Sequence, residues 1–134
     1  MISLKKVSDF RERYLWGWLP FWVYSALMIQ GAIESPARLP RILFRFNDKI
    51  LHGLEFFLLV WLALNAFRRA KSVRLRTAVM FYAFLYALIM GLVTEAVQFY
   101  APGRAPEFWD FMADLGGAGA ALLILILFKR QAGF

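Results

Sequence analysis

Four apolar stretches of bilayer-spanning length occupy residues 14–33, 50–67, 78–99 and 108–128. A helix needs about 17–25 such residues to cross hydrocarbon. Lipid offers the backbone no hydrogen bonds, so these stretches must be helices that satisfy their own polar groups. Composition makes the same demand. Of 134 residues, 61% are hydrophobic and 19% charged, and so short a chain buries only part of its apolar surface in one core. Lipid must cover the rest, which excludes the soluble enzyme classes. The expected fold is an all-α membrane protein, one domain over residues 1–134 built as a bundle of four transmembrane helices. With no cysteine in the chain, disulfides, thiolate metal sites and a cysteine nucleophile are excluded as well.

Charge sets the orientation. Eleven of the sixteen basic residues lie in three segments: Lys5, Lys6, Arg11 and Arg13 before the first stretch, the run from Arg68 to Arg76, and Lys129 with Arg130. The remaining five are Arg38, Arg41, Arg45, Lys49 and Arg104. The positive-inside rule then predicts that both termini and the 68–76 loop are cytoplasmic. The basic lead-in would suit a signal peptide, but the apolar core is longer than usual and no A-x-A site follows, so an uncleaved anchor is expected. Trp16, Trp18, Tyr100 and Trp109 are predicted to form interfacial belts. The net charge of +7 is not gathered into one patch. The basic loop lacks the interleaved aromatics of a single-strand binder, so membrane lipid is the expected partner and nucleic acid is not.

The polar residues inside the stretches fall at one end of the expected bundle. His52 and Glu55 open the second helix, Glu95 and Gln98 close the third, and Asp110 and Asp114 open the fourth. Each pair has the i,i+3 or i,i+4 spacing of one helical face, and all lie within about 9 Å of the outer end at 1.5 Å per residue. Ionisable groups at that depth are costly and by default mark function. Four carboxylates (Glu55, Glu95, Asp110, Asp114), with Asp48 and Glu107 nearby, outnumber the cations Lys49, Arg104 and His52. A carboxylate beside a histidine is general acid–base equipment. Histidine with carboxylates would also suit zinc or manganese, although no standard metal motif such as HExxH is present. A purely structural alternative pairs Arg104 with Asp110 or Glu95, and His52 with Glu55, to lock the bundle. Serine hydrolysis is not expected: there is no GxSxG elbow, and Ser35 is the lone serine on the outer side. Small residues at Ala113, Gly117 and Ala121, matched by Ala87 and Gly91, are predicted to let helices approach closely within the chain.

These polar blocks resemble those of the VanZ-like membrane proteins. One is Asp48-Lys49-Ile50-Leu51-His52 followed by Glu55; the other runs from Glu95 and Gln98 through Pro102-Gly103-Arg104 to Asp110. The similarity covers roughly residues 35–121. Two positions depart from it: Phe56 stands where many relatives have an aromatic hydroxyl, and Asp114 where they often have asparagine. The resemblance implies a multi-pass protein of the bacterial cytoplasmic membrane, with a link to glycopeptide resistance or envelope maintenance.

The expected function is binding or modification of an outer-leaflet amphiphile (a lipid head group, a cell-wall precursor or a lipoglycopeptide) in an outward-facing polar pocket made by helices two, three and four. His52, Glu55, Glu95, Asp110 and Asp114 are the candidate catalytic residues. Asp48, Lys49, Gln98 and Arg104 are the candidate ligand-binding residues, the two cations holding an anionic group. The rival class is a non-catalytic membrane subunit or small transporter. Transport calls for a polar path toward the midplane, and only Asn65 and Gln30 hint at one.

Overall fold

The computed structural model describes residues 4–34, 38, 42 and 47–131, with side chains described from residue 7 to residue 128 of these. Ser35, Arg41, Arg45 and the side chains of Lys5, Lys6, Lys129 and Arg130 lie outside the described residues. Every regular element among the described residues is helical. The chain begins as a continuous helical rod made of α1 (Leu4–Phe10), a π-helical segment (Arg11–Trp18) and α2 (Leu19–Ile33). It continues through α3 (Asp48–Arg68), the short α4 (Val73–Thr77), α5 (Val79–Tyr100) and α6 (Phe108–Gln131).

Three helices are long and apolar enough to cross a membrane: α3, α5 and the Phe108–Phe128 part of α6. The fourth expected span is built differently. α2 has 15 residues, about 22 Å at 1.5 Å per residue and short of a ~30 Å hydrocarbon core. Only by continuing back through the π-helical segment does that stretch gain length. Local signals set the ends. Asn47 caps α3, its side chain accepting from the Lys49 amide at 3.0 Å, and Ser72 caps α4 in the same manner. The Ala101–Arg104 turn places Pro102 second and Gly103 third, with Gly103 at φ 75° and the Arg104 amide donating to the Ala101 carbonyl at 3.2 Å. That is a type II turn, whose third position favours glycine.

α3 lies at the centre, packed on α2, α5 and α6. α2 and α5 run antiparallel to it, whereas α6 runs parallel and meets it almost backbone to backbone. A Cβ built on Gly117 would overlap the Gly53 carbonyl, so no larger residue fits that crossing without moving a helix. Ala118 and Ala121 are fully buried beside it, and Gly91 of α5 sits against Phe111 and Asp114 of α6. The small residues thus serve packing within the chain. Phe21, Phe67 and Tyr86 join α2, α3 and α5 at the other end, with Phe21 ring centroids 5.5 and 4.7 Å from the latter two. Trp18 packs inward on Phe21 and Phe67 rather than joining a belt, because it faces α3. Trp16, Tyr100 and Trp109 remain exposed. So do Phe81, Ile89, Leu92 and Leu123 on the outer faces of α5 and α6, a distribution suited to lipid rather than water.

The helix directions give the bundle two unlike ends. Gly17 lies beside Ala66 and Arg69, so the N-terminal rod and the Arg68–Arg76 loop share one end. The starts of α3 and α6 and the close of α5 share the other.

Candidate functional site

At that second end, the start of α3 presents Asp48, His52 and Glu55 to a cavity of about 180 Å³. Gln98 and Thr94 of α5 and Arg104 of the following turn complete its polar lining. Leu27, Met28, Gly31 and Ala32 of α2, with Leu51 and Phe56 of α3, form the apolar part. The cavity therefore lies among α2, α3 and α5. The first stretch supplies a wall that was expected from the fourth. Polarity alone could not reveal this, because the α2 lining carries no charge; the small pair Gly31-Ala32 at the close of the stretch is its one sequence trace. Phe56, lacking a hydroxyl, gives the cavity an apolar ring.

α6 stands behind His52, on the side away from the cavity. The His52 Nδ1 donates to Asp114 Oδ1 at 2.8 Å, and its Nε2 lies 3.7 Å from Asp110 Oδ2. Asp114 is fully buried, Asp110 is 5% exposed and His52 9%. The second oxygen of Asp114 is buried with no hydrogen-bond partner among the described residues, in the space left by Gly91. Lys49 reaches over from α3 and donates to Asp110 and to Glu107, the latter at 2.8 Å. Asp48 Oδ2 is 3.9 Å from the same ammonium. One lysine thus stands against three carboxylates.

The structural pairings expected between these groups are not the ones found. His52 is paired with Asp114 and Asp110 across two helices rather than with Glu55, one turn along its own helix. Arg104 meets neither Asp110 nor Glu95. It donates instead to the carbonyls of Gly31 (3.2 Å) and Glu34 (3.4 Å), the open end of α2, where a cation is favoured by unpaired carbonyls and the helix dipole. The type II turn aims it there. Glu55 has its backbone carbonyl bonded by the Tyr24 hydroxyl at 3.0 Å, while its carboxylate makes no hydrogen bond or ion pair with the described residues. Glu95 is half-buried on α5, does not line the cavity, and keeps Oε1 buried with no hydrogen-bond partner among the described residues.

Of the nine candidate residues, Asp48, His52, Glu55, Gln98 and Arg104 converge on the cavity. Lys49, Asp110 and Asp114 form the network behind it, and Glu95 lies near that network, outside the cavity. The two polar residues that hinted at a transport path are both engaged within the chain. Gln30 donates to Glu34 at 2.8 Å, and Asn65 donates to the Trp16 carbonyl at 2.6 Å while accepting from Arg69.

No curated protein and no solved structure matches the chain. The family model described as VanZ/LLP1 matches residues 3–129, so both polar blocks and all three membrane-competent helices fall inside the match. The chain belongs to the VanZ/LLP1 family and is a multi-pass membrane protein.

Proposed function

We propose that the protein binds the polar head of an outer-leaflet amphiphile in the cavity among α2, α3 and α5. The observation that carries this reading is the cavity's mixed lining: Asp48, His52, Glu55, Gln98 and Arg104 together with Leu27, Met28 and Phe56. Its volume of about 180 Å³ is below the roughly 300–1,000 Å³ of sites that enclose a whole small molecule. A head group fits, and its apolar chain stays in lipid. In this reading the chain is one domain with four spanning helices, α2 and the π-helical segment forming the first. Both termini are cytoplasmic, and the cavity faces the outer side of a bacterial cytoplasmic membrane. The amphiphile is a lipid head group, a cell-wall precursor or a lipoglycopeptide, which would link the protein to envelope maintenance or glycopeptide resistance.

Roles follow from position. Glu55, which makes no side-chain hydrogen bond or ion pair among the described residues, attracts a cationic part of the head. The Arg104 N–H groups not used on α2 hold an anionic part. Were the amphiphile also modified, Glu55 would be the acid–base group, because both ring nitrogens of His52 are directed at the α6 carboxylates. Glu95, away from the cavity, has no place in that step. Lys49 and Asp110 shape the network and do not touch the ligand.

Native mass spectrometry of the protein released from its own membranes tests the binding. The wild type is expected to retain one amphiphile per chain. Gly31→Leu adds bulk at the cavity where a Cβ meets nothing within 4 Å, so it should fold and lose the adduct. Retention of the same adduct by a folded Gly31→Leu protein would refute the site.

A further inference from the structure

Behind the cavity, a chain with a single histidine and no cysteine places that histidine between carboxylates from two helices. One ligand atom from each of Asp48, His52 and Asp110 lies within 4.8 Å of the other two. We propose that these three residues bind a first-row divalent cation of the Zn2+ or Mn2+ type, with Asp114 as the group that orients the histidine. The inference does not rest on the amphiphile reading, although Asp48 and His52 also line the cavity.

Four features of the geometry support it. First, the His52 Nδ1 lies 2.8 Å from Asp114 Oδ1; a neutral imidazole that donates there carries its lone pair on Nε2. Metal-bound histidines are held in this way by a carboxylate on the other ring nitrogen. Second, Nε2 makes no hydrogen bond with the described residues, although the side chain is about nine-tenths buried. It points to Asp110 Oδ2 at 3.7 Å, too far for a hydrogen bond. Two donors on one ion at ~2.1 Å and a tetrahedral angle are separated by about 3.4 Å, so a small contraction would accommodate an ion between them. Third, Lys49 donates to Asp110 Oδ1, the opposite oxygen, leaving Oδ2 for the ion; ligating carboxylates are commonly hydrogen-bonded in this manner. Fourth, charge is left over. With the imidazole neutral, Lys49 is the one cation within ion-pair distance of Asp48, Glu107 and Asp110 among the described residues, and a divalent ion would offset the remainder.

Asp48 lies at the exposed start of α3 and gives the ion a route in from water, which a real site requires. The donor set of one imidazole and two carboxylates suits zinc, manganese or iron and does not suit the all-oxygen preference of calcium or magnesium. Asp48, His52 and Asp110 leave coordination positions that water can fill.

The test uses tag-free full-length protein in detergent, stripped with a chelator and titrated with ZnCl2 or MnCl2. We expect one ion per chain by elemental analysis after gel filtration. X-ray absorption of the zinc-loaded wild type should show one imidazole nitrogen among oxygen donors, and with one histidine in the sequence that nitrogen belongs to His52. Asp114→Asn should weaken binding about 10–100-fold, the usual effect of removing an outer-shell partner, and Asp110→Asn should abolish stoichiometric binding. A folded wild type that takes up no stoichiometric zinc or manganese, or binds through oxygen alone, overturns the site. The absorption spectrum needs no variant, so it decides even if the substitutions unfold the chain.

Discussion

The two ends of the bundle carry similar amounts of charge and use it in opposite ways. At one end Arg68, Lys71, Arg74 and Arg76 are exposed, and their bonds are local: Arg76 donates to the carbonyls of Ala70 (2.7 Å) and Lys71 (2.9 Å), and Arg69 to Asn65 one turn back. At the other end, Asp110, Asp114 and His52 are buried and linked across helices. Exposed charges in high dielectric interact weakly, and their neighbours hardly constrain them. Buried charges must be matched or they destabilise the fold by several kcal/mol. The basic end is thus suited to setting orientation and meeting anionic lipid, and the buried end to holding a defined geometry.

The sharpest break of this comparison is all-or-none. The chain lacks cysteine, so single cysteines at Pro102 and Ser72, both exposed and at opposite ends, can be read without background. An impermeant maleimide applied to intact cells should label Pro102→Cys and spare Ser72→Cys. Reversed labelling would turn the bundle over and remove the outward-facing cavity. Next in size is His52→Ala. It leaves Asp114 buried with neither oxygen paired, an effect of about 3–5 kcal/mol, whereas Arg74→Ala on the exposed end should stay within about 0.5 kcal/mol. Melting in detergent compares the two, and equal losses would erase the distinction between ends.

Close packing gives a smaller contrast. Gly117→Ala sets a methyl group against the Gly53 backbone carbonyl and should destabilise by about 1–3 kcal/mol, as overpacking does. Gly17→Ala meets the Arg69 Cδ at 3.1 Å, a flexible side chain that can yield, and should change stability by less than about 0.5 kcal/mol. Membrane accumulation and melting temperature check both. The smallest stability effect is expected for Glu55→Gln, because this carboxylate has no hydrogen bond or ion pair among the described residues to lose. Within about 0.5 kcal/mol of wild type in melting, it should nonetheless lose the bound amphiphile in native mass spectra. A large loss of stability instead would assign Glu55 to the structural network.

Much of the fold was legible from hydropathy. The second, third and fourth stretches match α3, α5 and Phe108–Phe128 of α6 within two residues at each end, because a run of apolar residues in lipid has helix as its one outlet. The first stretch misled in one respect: its π-helical start leaves no pattern in composition, and α2 alone is short. The site was legible as a depth and an end, since i,i+3 and i,i+4 spacing places His52 with Glu55 and Asp110 with Asp114 on common faces. It was not legible as a set of partners. Spacing along one helix suggested His52 with Glu55, but the helix approach at Gly53 and Gly117 brings Asp114 to the imidazole instead. Arg104 likewise sits among acids in the sequence, yet its turn carries it to the carbonyls of α2.

By itself the sequence determined that the chain is helical, needs lipid, keeps its basic segments together and gathers its ionisable groups at one depth. These are properties of single segments, set by period, length and the cost of transferring polar groups into hydrocarbon. The tertiary structure alone decided which carboxylate holds the histidine, which helix closes the cavity, and which carbonyls receive Arg104. Those depend on the rotation and separation of neighbouring helices, and an ångström of approach permitted by one glycine changes which side chains meet.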